Sequence, residues 1–165
     1  MLPFLRLAKV LLGPRRAADA LDGATVRFRV WPNDLDLNRH MNNSRYLAMM
    51  DLGRYDLTRR TGLLRAVRQR GWFPVVAAQT IRFRKSLAPF ASYELHTRVA
   101  GWDEKSFYLE QVFRKDGEVV ATGWVRARFL SKGGPHATTE VLAAIGETRA
   151  SPGIPAEIQA WSAAL

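Results

Sequence analysis

The chain contains no cysteine. A disulfide framework, a thiolate zinc site and a cysteine nucleophile are excluded, and the redox compartment stays unconstrained. Histidine is scarce as well. His40, His96 and His136 are the three present, and none has a metal-ligand spacing such as His-x-x-x-His, so neither a metal nor a cofactor is expected. Long apolar runs are absent. Residues 1–12 are apolar, but Arg6 and Lys9 interrupt them, and the stretch is too short to span a bilayer. It also lacks the small-residue cleavage pattern of a signal peptide. Internal repeats and low-complexity linkers are missing, and Gly133-Gly134-Pro135 marks only a loop. Acidic residues are in deficit: 15 Asp and Glu against 25 Lys and Arg leave a formal charge of +10.

That charge invites an anionic partner. It is spread along the chain instead of gathered in a tail, and no zinc finger or RNA-binding aromatic pair accompanies it, so no nucleic acid is expected. Much of the arginine could simply be solvated surface. At 165 residues the chain has room for one packed core. Residues 1–23 read as an N-terminal amphipathic segment and 24–165 as a single domain. Within the segment, Leu2, Phe4, Leu5, Ala8, Leu11 and Leu12 could form one face of a short helix, with Arg6, Lys9, Arg15 and Arg16 on the polar side. Gly13 and Pro14 would end it. Such a helix could lie on a membrane surface through residues 1–12, or pack on the domain. A cytoplasmic protein is expected.

The remainder reads as α+β. Thr25 to Trp31 alternates as a half-buried strand. From Asn43 to about Arg60, Tyr46, Met49, Met50, Gly53 and Leu57 recur at helical spacing. Gly53 weakens a helix but permits close approach to a sheet. Asp51 reads as an exposed partner of Arg54 or Tyr55, or as a residue turned toward substrate. Strand-like runs follow at Phe73 to Lys85, Ser92 to Trp102, Ser106 to Lys115 and Glu118 to Ser131, with Asp116-Gly117 as a hairpin turn. Short helices are expected at Thr138 to Ile145 and Pro155 to Trp161.

The densest chemistry is in Asp34-Leu-Asp-Leu-Asn-Arg-His-Met-Asn-Asn-Ser-Arg-Tyr46. Asp34, Asp36, Asn38 and His40 sit at every second position, so an extended backbone would turn them to one side. Asn42, Asn43 and Ser44 then start the helix, whose dipole favours developing negative charge. Such a cluster could polarise and attack an acyl carbonyl. Equally, Asp and Asn ahead of a helix serve as turn and cap residues.

This run resembles the signature of the hot-dog-fold acyl thioesterases. It is similar to the Asp-Leu-Asp-x-Asn-x-His-Val-Asn-Asn-x-x-Tyr run of plant-type acyl-ACP thioesterases and to the looser Asp-x-Asp-x-x-Gly-His of the 4-hydroxybenzoyl-CoA thioesterase group. Asn38-Arg39-His40 departs from the x-Gly-His of the latter. With Gly101-Trp-Asp-Glu-Lys-Ser-Phe-Tyr-Leu-Glu110 and Pro155-Ala-Glu-Ile-Gln-Ala-Trp161, the chain most resembles the thioesterase superfamily member six group, over residues 24 to 161. The resemblance implies a curved antiparallel sheet wrapped around a long central helix, a homodimer or homotetramer, and hydrolysis of acyl-CoA or acyl-ACP.

On that reading Asp36 is general base or nucleophile, and Asn38 and His40 position water or thioester. Amides near Asn42 and Asn43 meet the carbonyl oxygen. The acyl chain passes Tyr46 and Met50. Arg82, Arg84 and Lys85, in a partner's strand region from Gln79 onward, are candidates for the carrier's phosphates, although alternating arginines also suit a wet strand face. A non-hydrolytic acyl-CoA-binding or membrane-surface scaffold protein is the alternative.

Overall fold

The computed structural model describes residues 2–13 and 17–165, with side chains given from Leu5 onward. The side-chain assignments above for Leu2, Phe4, Arg15 and Arg16, and the stop at Pro14, lie outside the described residues. Helix α1 (Leu2–Leu12) leads to strand β1 (Ala24–Arg29), and a 3-10 turn (Pro32–Asp34) precedes the long helix α2 (Asn43–Arg60). Helix α3 (Leu63–Gln69), strands β2 (Phe73–Phe83), β3 (Ser92–Trp102), β4 (Phe107–Lys115), β5 (Glu118–Ser131) and β6 (Gly134–His136), and helices α4 (Thr138–Ala143) and α5 (Ala156–Ala163) follow. The strands form one antiparallel sheet in the order β1-β3-β4-β5-β2, with β6 beside β5.

Alternation dictates how the sheet meets the helix. In β1, Ala24, Val26 and Phe28 are buried while Thr25, Arg27 and Arg29 face solvent. Tyr46, Met49, Met50, Gly53 and Leu57 form the buried stripe of α2 and join Leu95, Phe113 and Val125 of the sheet in one core. Gly53 makes the close approach possible. A Cβ there would lie 2.6 Å from Thr97 Oγ1 and 2.9 Å from Leu95 Cδ2. Beneath it, the fully buried Gln111 donates to Met50 O and Thr97 Oγ1, each at 2.9 Å.

Asp116 and Gly117 turn the β4–β5 hairpin with φ of 49° and 83°, as the Asp-Gly signal predicts. β1 stops at Arg29, short of the expected Trp31, because Trp31 turns into the 3-10 segment. The tail covers the sheet's other face, where Ile158 packs on Ala100 and Tyr108.

Helix α1 differs from its expected polarity. Arg6 and Val10 are buried, whereas Leu5, Leu11 and Leu12 are exposed. The reason is electrostatic: Arg6 finds a buried counter-ion in Asp34 and donates to Arg29 O at 2.8 Å, and a guanidinium tolerates burial when it is paired and hydrogen-bonded in this way. Among the described residues, no helix is long and apolar enough to cross a membrane.

Candidate active site

The run from Trp31 to Asn42 folds as a closed loop, and the expected extended spacing of four side chains does not form. Asp34 turns inward and is 1% exposed. Its carboxylate accepts the Trp31 N–H at 2.8 Å and both Arg6 Nη1, at 2.8 Å, and Arg6 Nη2. Burial opposes its charge. The hydrogen bonds from Arg6 and the Trp31 amide, and the nearby charges of Arg6 and Arg45, outweigh that and hold the carboxyl below its usual range. Asp34 is thus the pin of the loop.

Asp36 closes the turn by itself. Its N–H donates to His40 O at 2.9 Å, and its Oδ1 accepts the Asn38 N–H at 2.9 Å and the His40 N–H at 3.1 Å. Arg39 takes φ 59° at the apex. Short Asp side chains bond their own backbone two residues on, and this competes with extended structure. A bridge between Leu35 and Met41 seals the base. Asp36, Asn38 and His40 are therefore brought together through backbone bonds. The Asn38 and His40 side chains are exposed.

The helix start is divided between capping and vacancy. Asn42 is the N-cap, and its Oδ1 accepts the Ser44 N–H at 2.9 Å and the Ser44 hydroxyl at 2.7 Å. Its own N–H donates to Asp34 O at 2.8 Å. Asn42 therefore cannot offer that amide to a carbonyl, contrary to expectation, because the loop closure consumes it. The Asn43 N–H has no acceptor among the described residues. Tyr46 and Met50 also differ from the expected role. Tyr46 is wedged between Phe83 and Phe113, each ring 5.0 Å away, and burial pushes its hydroxyl pKa up to about 12. Met50 is fully buried against Gly123. Both are used up by core packing, and neither lines a described cavity.

Arg82, Arg84 and Lys85 line one open depression at the end of β2, and Lys85 pairs with Glu118 at 2.6 Å. Two residues on from Lys85, Leu87 O accepts the Met41 N–H at 2.9 Å. The basic cluster and the Asp36 loop are thus tied together within one chain.

A second space lies under the C-terminal half of α2. This cavity of about 380 Å³ is walled by Val75, Leu64, Trp102, Phe107, Phe129 and other apolar side chains. Arg54 and Asp51 also line it. They form an ion pair, as the exposed reading of Asp51 predicts. Sequence reasoning saw Arg54 only as a possible partner of Asp51 and not as part of a cavity wall, because an arginine on a helix reads as solvated surface. Only its spacing to Asp51 and its place beside Gly53 hinted at more.

A long helix held in a curled antiparallel sheet, with an aspartate loop at the helix start, is the hot-dog architecture. The model of the thioesterase-like superfamily matches residues 30–162, and the chain belongs to that superfamily. It is 43% identical over 126 residues to Protein THEM6 of Danio rerio, covering 75% of this chain and 62% of that one. It is 35% identical over 164 residues to Protein THEM6 of Xenopus laevis, covering 96% and 77%. The chain thus spans less than two thirds of the Danio rerio protein. In fold it is similar to the probable thioesterase YbaW of Escherichia coli, with a TM-score of 0.69 and 21% identity, covering 73% of this chain and 95% of that one.

Proposed function

We propose that this protein hydrolyses acyl thioesters, carried on CoA or acyl carrier protein, to a free acid and a thiol. The observation that carries the reading is the placement of Asp36. Its carboxylate is fixed by two backbone amides in a loop that ends at the first turn of α2. Asn43 offers the amide that remains. As general base, Asp36 takes a proton from water while the oxygen attacks the acyl carbon. As nucleophile, it forms an anhydride that water then opens. In both routes negative charge grows on the carbonyl oxygen, where the Asn43 N–H and the helix dipole stabilise it. The thiolate leaves and is protonated by solvent. His40 and Asn38 flank Asp36 and orient water or thioester. Arg82, Arg84 and Lys85 hold carrier phosphates.

The test is thiol release from a panel of short, long and aryl acyl-CoAs and an acyl-ACP, by wild type and Asp36→Asn. Turnover by wild type that the variant lacks supports the proposal. Acyl-CoA binding without turnover of any panel member would replace it with the non-hydrolytic alternative.

A further inference from the structure

The cavity beneath the second half of α2 has a feature that an acyl-chain slot does not need. A guanidinium stands in its apolar wall. Arg54 has a side chain only 12% exposed, while its partner Asp51 is 73% exposed. Arg54 is held from behind, because its Nη1 donates to Gln111 Oε1 at 2.7 Å. Gln111 is itself locked to Met50 O and Thr97. Burial pulls the Arg54 pKa below the usual guanidinium value against the opposing pull of Asp51. A single solvated carboxylate therefore leaves this cation undercompensated. The other acid on the rim, Glu147, is engaged by Arg149.

We propose that this cavity is a binding site for a free fatty carboxylate. The alkyl tail fills the apolar space, and the carboxylate takes the place of Asp51 on Arg54. Guanidinium and carboxylate match as a two-pronged pair. Exchange is cheap on the protein side, since Asp51 already stands in water. Size fits as well: where roughly 150 Å³ accommodates one benzene, about 380 Å³ accommodates a chain of up to about fifteen carbons. The site is separate from the Asp36 loop. Asp51 lies nine residues along α2 from Asn42, about 13 Å at the helical rise. The inference therefore does not depend on thioester hydrolysis.

The experiment is calorimetric titration of the whole protein with laurate and with dodecanol, both below their aggregation limits. Laurate should bind one per chain, and dodecanol about tenfold or more weakly, the scale of one charge-assisted hydrogen bond. Arg54→Met should bring laurate down to the level of dodecanol. Asp51→Asn, at an exposed position, should tighten laurate, and Asp36→Asn should leave it unchanged. Equal binding of acid and alcohol, no laurate binding, or an Asp51→Asn variant that binds laurate no more tightly than wild type would each overturn the proposal. The last arm decides the matter even if Arg54→Met does not fold.

Discussion

Asp34 and Asp36 are two residues apart and have opposite environments. Asp34 is buried on Arg6, and Asp36 stands at the surface of its own turn. Their replacement by asparagine should separate stability from activity. Asp34→Asn leaves Arg6 with an uncompensated buried charge, which costs about 3–5 kcal/mol. The pH dependence has a definite sign. The folded carboxyl titrates below 3.8, so its stabilisation is complete above that value and is lost as pH falls through the folded pKa. Urea midpoints should show wild type weakening in this acid range and Asp34→Asn weakening less. A variant as stable as wild type at pH 7 would show that the pair contributes nothing. Asp36→Asn keeps an Oδ1 for the Asn38 and His40 amides, so the loop should still close. Its urea midpoint should match wild type while turnover falls about 100-fold or more, the scale of a lost general base. Loss of both together would make Asp36 a structural residue.

Helix α2 shows how a local cost supports a close contact. Gly53 lowers helix propensity by about 1 kcal/mol relative to alanine, yet Gly53→Ala should destabilise. The new Cβ would meet Thr97 Oγ1 and Leu95 Cδ2 inside 3 Å, and overpacking costs about 1–3 kcal/mol. Thermal melting checks the sign, and a raised Tm would mean that the helix can back away from the sheet. The bounds of α2, β3 and β5 were readable because cap, period and turn agree there: Asn42 before the helical stripe, and Asp116-Gly117 between alternating runs. Helix α3 was not readable. It has seven residues, and Gly62, in a left-handed conformation, starts it without a side-chain cap. The site was legible as a position and illegible as a geometry. The inward turn of Asp34 depends on Arg6, 28 residues earlier, and no local pattern contains that partner. The same distance effect inverted the reading of α1. Tyr46 and Met50 looked like channel residues for a related reason, since an apolar stripe on a helix does not say whether it faces a core or a cavity.

The main path of the sheet ends at β1 and β2, and the two ends are treated differently. Along β1, the carbonyls of Arg27 and Arg29 accept from Lys9 and Arg6 of α1, so that edge is partly closed within the chain. Along β2 the edge is open and greasy, with Phe73 47%, Val76 43% and Phe83 40% exposed. An open apolar edge invites pairing with another strand, and a two-fold axis would satisfy two copies at once. We therefore expect a dimer joined through β2, seen as twice the chain mass by light scattering. Ala77→Lys with Gln79→Lys places like charges across that axis and should give a monomer of unchanged circular dichroism. A double variant that stays dimeric would move the interface elsewhere. The same variant discriminates two ways of building the active site. If Arg82, Arg84 and Lys85 serve the partner's Asp36 loop, the monomer should lose turnover of acyl-CoA. If they serve their own loop through the Leu87–Met41 bond, turnover should survive monomerisation. In that case an Arg82→Gln, Arg84→Gln pair in the monomer should raise KM for acyl-CoA, while an acyl thioester without phosphates reacts as before.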